Sequence, residues 1–250
     1  MSLPTILITG ATAGIGLAAA KHYLTQGWKV IFTGRNEDKI ATVENQLRAC
    51  ANHPSQVLGL LCDSSVPTHF ESLPKKLQAQ DIKLDAVILN AGVFYPKPFA
   101  DNELSDLNTT MLINFTGPAM LLQHLLPVMN NPCSVVYVSS IAVQRAFAGA
   151  ASYAASKAAF EALAATLNLE WSDRGVRINH LRPGVTHTEI QNKAGMSEQQ
   201  IAELNAGLAS IPLGRMLQAT EMLASLDFLT GEGSAAMRGA HITVDGGYCL

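Results

Sequence analysis

Apolar residues along this chain keep two rhythms. Short continuous runs occur at residues 6–8, 30–32, 57–61, 87–89, 135–138, 176–181 and 242–244, and stretches of helical character separate most of them. A strand with one wet face alternates apolar and polar residues, whereas an unbroken apolar run implies burial on both faces and hence a parallel sheet covered by helices on each side. Right-handed βαβ crossovers then predict an α/β fold, a doubly wound three-layer sandwich around one seven-stranded parallel sheet.

The second rhythm is helical. Leu104, Leu107, Met111 and Phe115 follow a 3.6-residue stripe that predicts a core-facing helix, with Asn114 on the edge of the stripe and in need of a polar partner. Ser197, Glu198, Gln199 and Gln200 have the pattern of a capping box, which predicts a short helix over about 198–208. No Pro/Ser-rich linker, charge block or internal repeat divides the chain, so residues 1–250 read as a single domain with a loop-rich insertion at about 186–214.

Composition narrows the ligand. With 48% hydrophobic and 15% charged residues the chain supports a large core, and its net charge of −3 without any Lys/Arg run of five gives no general attraction for nucleic acid or anionic membrane. A small-molecule partner is expected. Cys50, Cys62, Cys133 and Cys249 lie far apart without a CxxC pair, and His180 and His187 lack a neighbouring His/Cys cluster. Free thiols and no metal site are therefore expected. The beginning MSLPTILITG has no basic segment ahead of its short apolar run, and no stretch of 18 apolar residues occurs, which points to a cytoplasmic protein without a membrane span.

The chemistry gathers around two stretches. After the first strand, Thr9-Gly10-Ala11-Thr12-Ala13-Gly14-Ile15-Gly16 leads into a helix. Glycines there let the backbone turn sharply and approach a pyrophosphate, while the helix N-terminus offers N–H donors and the positive end of its dipole. The second stretch, SYAASKAAF at residues 152–160, places Tyr153 and Lys157 one helical turn apart on one face. A phenol, with a pKa of about 10, is a poor base at neutral pH, but a neighbouring ammonium favours its phenolate.

The glycine spacing resembles that of the short-chain dehydrogenase/reductase family, whose TGxxxGxG fingerprint is matched by Thr9 through Gly16. Further matches follow in the family's order: Asn90-Ala91-Gly92 as its NAG motif, Asn114 as its helix asparagine, Ser140 as its serine, and Tyr153 with Lys157 as its YxxxK pair. Pro183, Gly184 and Thr188 match PGxxxT, and Val244-Asp245-Gly246-Gly247 matches a common C-terminal signature. The resemblance implies a Rossmann fold and hydride exchange between a carbonyl or alcohol and a nicotinamide dinucleotide. It also implies roles. Tyr153 is the acid/base, Ser140 holds the reacting oxygen, Lys157 favours phenolate and grips the nicotinamide ribose, and Asn114 positions a water on the proton path. Gly10, Thr12, Gly14, Ile15, Gly16, Asn90, Ala91, Gly92, Pro183, Gly184, Thr186 and Thr188 line the cofactor, and Asp63 contacts the adenine unless it only caps the next segment.

Strand two ends in Gly34-Arg35-Asn36, with no acidic residue for the adenosine ribose and a guanidinium suited to a 2′-phosphate. NADP(H) is therefore the expected cofactor and NAD(H) the alternative, although Ala13 stands where many NADP-dependent relatives carry a second basic residue. Glu37 and Asp38 read as the acidic first turn of the next helix. Phe94, Tyr95, Ile141, Arg145 and Gly149 are expected to wall a mostly apolar substrate pocket, with Arg145 either meeting an acidic group or standing in solvent. Alternatives to a general carbonyl reductase are a 3-oxoacyl-thioester reductase of fatty-acid synthesis and a nucleotide-binding regulatory protein without chemistry. Small residues on several faces of the helix after Ser152 point to a homo-oligomer, in many relatives a tetramer.

Overall fold

In the computed structural model, which describes residues 3–189 and 195–250, seven strands form one parallel sheet. These are β1 (Thr5–Ile8), β2 (Lys29–Gly34), β3 (Val57–Leu61), β4 (Leu84–Leu89), β5 (Met129–Val138), β6 (Val176–Pro183) and, after two short strands, β9 (His241–Val244). Their spatial order is β3-β2-β1-β4-β5-β6-β9. The two-residue strands β7 (Thr186–His187) and β8 (Leu217–Gln218) pair with each other at the insertion. Helices α1 (Gly14–Thr25), α2 (Glu37–Arg48) and α8 (Leu223–Thr230) cover one face of the sheet, and α3 (Pro67–Gln78), α5 (Gly117–Leu125) and α6 (Ala151–Glu170) cover the other. α4 (Leu104–Met111) packs beside α6, and α7 (Glu198–Gly207) lies in the insertion.

The continuous apolar runs divide between the faces residue by residue. Ile6, Ile8, Val30, Phe32, Val136 and Val138 join one buried cluster with α1, α2 and α8, while Leu7, Ile31, Val135 and Tyr137 join the other with α3, α5 and α6. The period-2 pleat leaves neither face for solvent, which is why these strands do not alternate in polarity. β1 pairs with both β2 and β4, so the strand order reverses between β1 and β4. In a doubly wound sheet the ligand crevice opens at that point, beyond the carboxyl ends of the strands.

The helical stripe is corrected by the structure. Leu104 is 73% exposed, while the residues buried along the stretch are Thr110, Ile113 and Asn114. Between α4 and α5 one turn is a π-helix, Leu112–Thr116, and its wider turn changes the helical phase that a 3.6-residue count assumes. Asn114 is accordingly fully buried rather than on an edge. The whole stretch Leu104–Val128 is long and apolar enough, by length and composition alone, to cross a membrane; here it packs into the Rossmann-like layer through Leu121, Leu122 and Leu125. In the insertion, the expected capping box forms: Gln200 N donates to Ser197 Oγ at 3.2 Å and Ser197 N to Gln200 Oε1 at 2.8 Å.

Candidate active site

The glycine turn is built by close approach. Gly10 has φ +64°, and a Cβ there would lie 2.8 Å from Ala91 Cα; a Cβ on Gly16 would lie 2.6 Å from Asn90 Nδ2. The turn after β1 and the loop after β4 are thus pressed together, and hydrogen bonds fasten them. Asn90 N and Ala91 N donate to Thr9 Oγ1 at 2.9 and 3.0 Å, and Asn90 Nδ2 donates to the carbonyls of Thr9 and Gly10 at 3.0 and 3.2 Å. Asn90 and Ala91 therefore brace the turn. A Cβ on Gly34 would meet the Thr12 methyl at 2.6 Å, and Thr188 packs against Gly14, where a Cβ would lie 3.2 Å from its side chain.

These residues fit a dinucleotide. α1 begins with no side chain capping it and no acidic residue in its first turn, so its amides and dipole are left to an anion. Ile15 packs on the core below. Arg35 stands exposed just past β2, and Asn36 caps α2 by accepting from Lys39 N at 2.8 Å, with Glu37 and Asp38 in the acidic first turn as expected. Asp63 Oδ1 accepts from Ser65 N and Ser65 Oγ at 2.8 and 2.7 Å, closing the turn after β3, while α3 itself starts after Val66 with no side-chain cap. Across the cleft, Gly184 N donates to Val244 O at 2.8 Å and Thr186 Oγ1 to Gly184 O at 3.0 Å, fixing the loop after Pro183 to β9.

At the carboxyl edge of β5, Ser140 caps a short 3-10 turn by accepting from Ala142 N at 3.1 Å. α6 starts at Ala151, so Tyr153 sits in its first turn, where the dipole favours negative charge. Burial raises the Tyr153 phenol's pKa above its ordinary value, and the nearby Ser140 side chain opposes the rise. Phe94 packs on the Tyr153 ring with centroids 5.0 Å apart. One turn on, Lys157 is 3% exposed, donates to Val138 O at 2.8 Å and lies 4.6 Å from the centroid of Tyr137 and 5.8 Å from that of Tyr153. Burial lowers its pKa to about 7, with the carboxylate of Glu161 pulling it back up.

Asn114 is held by Val93 and Ser156. Its Oδ1 accepts from Val93 N at 2.8 Å and its Nδ2 donates to Val93 O at 2.9 Å and to Ser156 Oγ at 3.1 Å, while its own carbonyl accepts the Tyr137 hydroxyl at 2.7 Å. A Cβ on Gly92 would come within 3.3 Å of Lys157 Nζ and 3.2 Å of Asn114 Oδ1, so the NAG loop lies against the lysine. The fold brings Asn114, Ser140, Tyr153 and Lys157 to one place, beside the glycine turn.

Arg145 faces the end of the chain: its guanidinium donates to the Tyr248 carbonyl and lies 4.9 Å from the Tyr248 ring centroid. Ile141 is buried, Tyr95 is 45% exposed, and the carbonyl of Gly149, a residue at φ +78°, accepts from Lys97 N at 3.0 Å. A hollow of about 330 Å³ opens along this segment, lined by Ala142, Gln144, Phe147, Ala150 and Ala154 among others. Two contributors escape a reading of the sequence. Tyr137 looks like one more apolar strand residue, and Glu161 carries a signal only in hindsight, one helical turn beyond Lys157 and two beyond Tyr153.

A family model described as Enoyl-(Acyl carrier protein) reductase matches residues 10–249. Glucose 1-dehydrogenase of Gluconobacter oxydans is 30% identical over 98% of this chain and 91% of its own length. The 3-oxoacyl-[acyl-carrier-protein] reductase FabG of Salmonella typhimurium is 27% identical over 96% of this chain and 95% of its own. Among solved structures, an actinorhodin polyketide ketoreductase variant with NADPH superposes with a TM-score of 0.88, at 24% identity, over 98% of this chain and 97% of its own.

Proposed function

Because the chain belongs to the short-chain dehydrogenase/reductase family and is an oxidoreductase of alcohol and carbonyl groups, we propose that it is an NADP(H)-dependent carbonyl reductase in which Tyr153 is the acid/base. The observation that carries this reading is the convergence of Ser140, Tyr153 and Lys157, with the serine near the phenol and the lysine a turn behind it. When bound, the dinucleotide supplies or accepts the hydride at its nicotinamide. The raised pKa of Tyr153 keeps the phenol protonated at neutral pH, the form that donates a proton to a carbonyl oxygen. Ser140 would hold that oxygen by hydrogen bond, and Lys157 would hold the nicotinamide ribose and bring a positive charge that stabilises the phenolate left behind.

NADP(H) rather than NAD(H) rests on Arg35 standing exposed past β2 with no acidic residue at the end of the strand itself. The apolar segment from Ile141 to Gly149 and Phe94 favours a carbonyl on a hydrophobic body. A 3-oxoacyl thioester is the second reading, supported by the Salmonella relative. A homo-oligomer acting on a small molecule in the cytoplasm completes the proposal, with no metal in the chemistry.

The test is a panel of ketones, aldehydes and 3-oxoacyl thioesters, with oxidation of NADPH and NADH followed by absorbance. Tyr153→Phe deletes one hydroxyl, so turnover should fall by about 10²–10⁴ while dinucleotide affinity persists. Near-wild-type turnover by this variant overturns the mechanism.

A further inference from the structure

One buried carboxylate beside this site has no part in the reading above. Glu161 lies on α6 one turn beyond Lys157, its side chain 15% exposed and paired with Arg182 at 14%. Arg182 Nε donates to Oε1 at 3.0 Å and its terminal nitrogen to Oε2 at 2.5 Å, while Ser139 Oγ donates to Oε1 at 2.6 Å. Ser139 is also held to β6 by its own amide, which donates to Leu181 O at 2.7 Å. One carboxylate thus ties together the end of β5, which presents Ser140, the end of β6, which leads into the Pro183–Gly184 loop, and the helix that carries Tyr153 and Lys157.

We propose that Glu161 is a positioning residue for proton transfer: gripped by Ser139 and Arg182, it fixes the Ser140 strand end against α6 and sets a carboxylate one helical turn from Lys157. The inference rests on the functional reading above for its consequence in catalysis, and on geometry for the coupling itself.

The groups that face this carboxylate are few. On β6 they are Arg182 and His180; on β5 and just past its end, Tyr137 and Ser139; on α6, Lys157. His180 is neutral near pH 7, its pKa lowered by burial to about 4, and His241 on β9 acts on His180 rather than on Lys157. The phenol of Tyr137 is pushed well above its usual range by burial and stays neutral. Glu161 is therefore the charge among the described residues that opposes the burial of Lys157. Replacing it by an isosteric amide keeps much of the hydrogen bonding and removes that opposition.

The experiment titrates Lys157 directly in the protein without cofactor, by NMR of its side-chain Cε and Nζ resonances, assigned by their loss in Lys157→Met. In Glu161→Gln the Lys157 midpoint should fall by about one pH unit; in Glu161→Asp, which keeps the charge, it should stay close to wild type. On an active substrate, Glu161→Gln should lower kcat for reduction about 10–100-fold with KM little changed, and its alkaline limb should move to lower pH in step with the lysine. Should Glu161→Gln fail to fold, Ser139→Ala and Glu161→Asp decide. The first should lower kcat with the lysine midpoint unmoved, and the second should retain the midpoint; a midpoint that drops in either overturns the proposal. An unmoved midpoint in a folded Glu161→Gln, or equal rate losses in the Gln and Asp variants with unchanged pH profiles, also overturns it. Wild-type protein inactive on the whole panel, with the midpoint shifting as described, sinks the functional reading and leaves the Glu161–Lys157 coupling standing.

Discussion

Arg35 and His180 each carry a prediction that one substitution tests. Arg35 stands in solvent beyond β2, so Arg35→Asp removes the donor for a 2′-phosphate and installs an acceptor for a ribose hydroxyl without disturbing the core. The ratio of kcat/KM for NADPH to that for NADH should reverse, a change of roughly 2–4 kcal/mol, with thermal stability unchanged. Equal use of both cofactors by the wild type defeats the assignment before any variant is made. His180 is 2% exposed, and its Nδ1 has no hydrogen-bond partner among the described residues. Burial lowers its pKa from 6.5 to about 4, so the unfolded chain takes up a proton that the folded one refuses. The stability it contributes is present above pH 6.5 and is lost as pH falls toward about 4, up to about 3 kcal/mol from this group. Urea unfolding at about pH 7 and about pH 4.5 should show a smaller acid loss for His180→Asn than for wild type. Equal losses refute the assignment.

At the level of elements, legibility follows local pattern. The strands are readable because residues such as Ile6, Leu7 and Ile8 are all buried, on alternating faces, and a run of that kind suits a doubly covered strand. The glycine turn and the spacing of Tyr153 and Lys157 are readable because local backbone geometry demands those residue types at those intervals. The π-turn is not, because a 3.6-residue template runs straight through Leu112–Thr116; nor is the exposure of Leu104, 73% at the first residue of α4. Nor is the Glu161–Arg182–Ser139 cluster, whose members are brought together by three different elements and share no sequence period. Residues 190–194 of the expected insertion lie outside the described residues. The π-turn makes its own prediction. Asn114→Ala leaves Val93 N–H and C=O without the partners at 2.8 and 2.9 Å, two backbone groups at roughly 1–3 kcal/mol each when buried and unpaired. Its urea midpoint should fall accordingly and its turnover with it; a variant as stable as wild type shows that the side chain is not what holds the loop.

Over the whole molecule, large apolar side chains remain in solvent around α4, α5 and α6: Phe99 is 62% exposed, Leu104 73%, Met120 38% and Leu169 78%. Ala155, Ala158, Ala162 and Ala165 are exposed along α6, and such small side chains let a second helix approach closely. Self-association is the expected outcome, read by sedimentation, and a fully active monomer at micromolar concentration refutes it. The common direction of the strands has a practical side as well. With every strand of the main sheet parallel, the chain enters β1 on the edge opposite the candidate site and leaves β9 on the same edge as that site, where Arg145 grips the Tyr248 carbonyl. A fusion partner or surface tether attached ahead of Thr5 leaves the cleft facing away from its support, whereas the same tether placed after Leu250 crowds the mouth through which substrate must pass. Immobilisation by the two ends should therefore preserve turnover in the first case and depress it in the second.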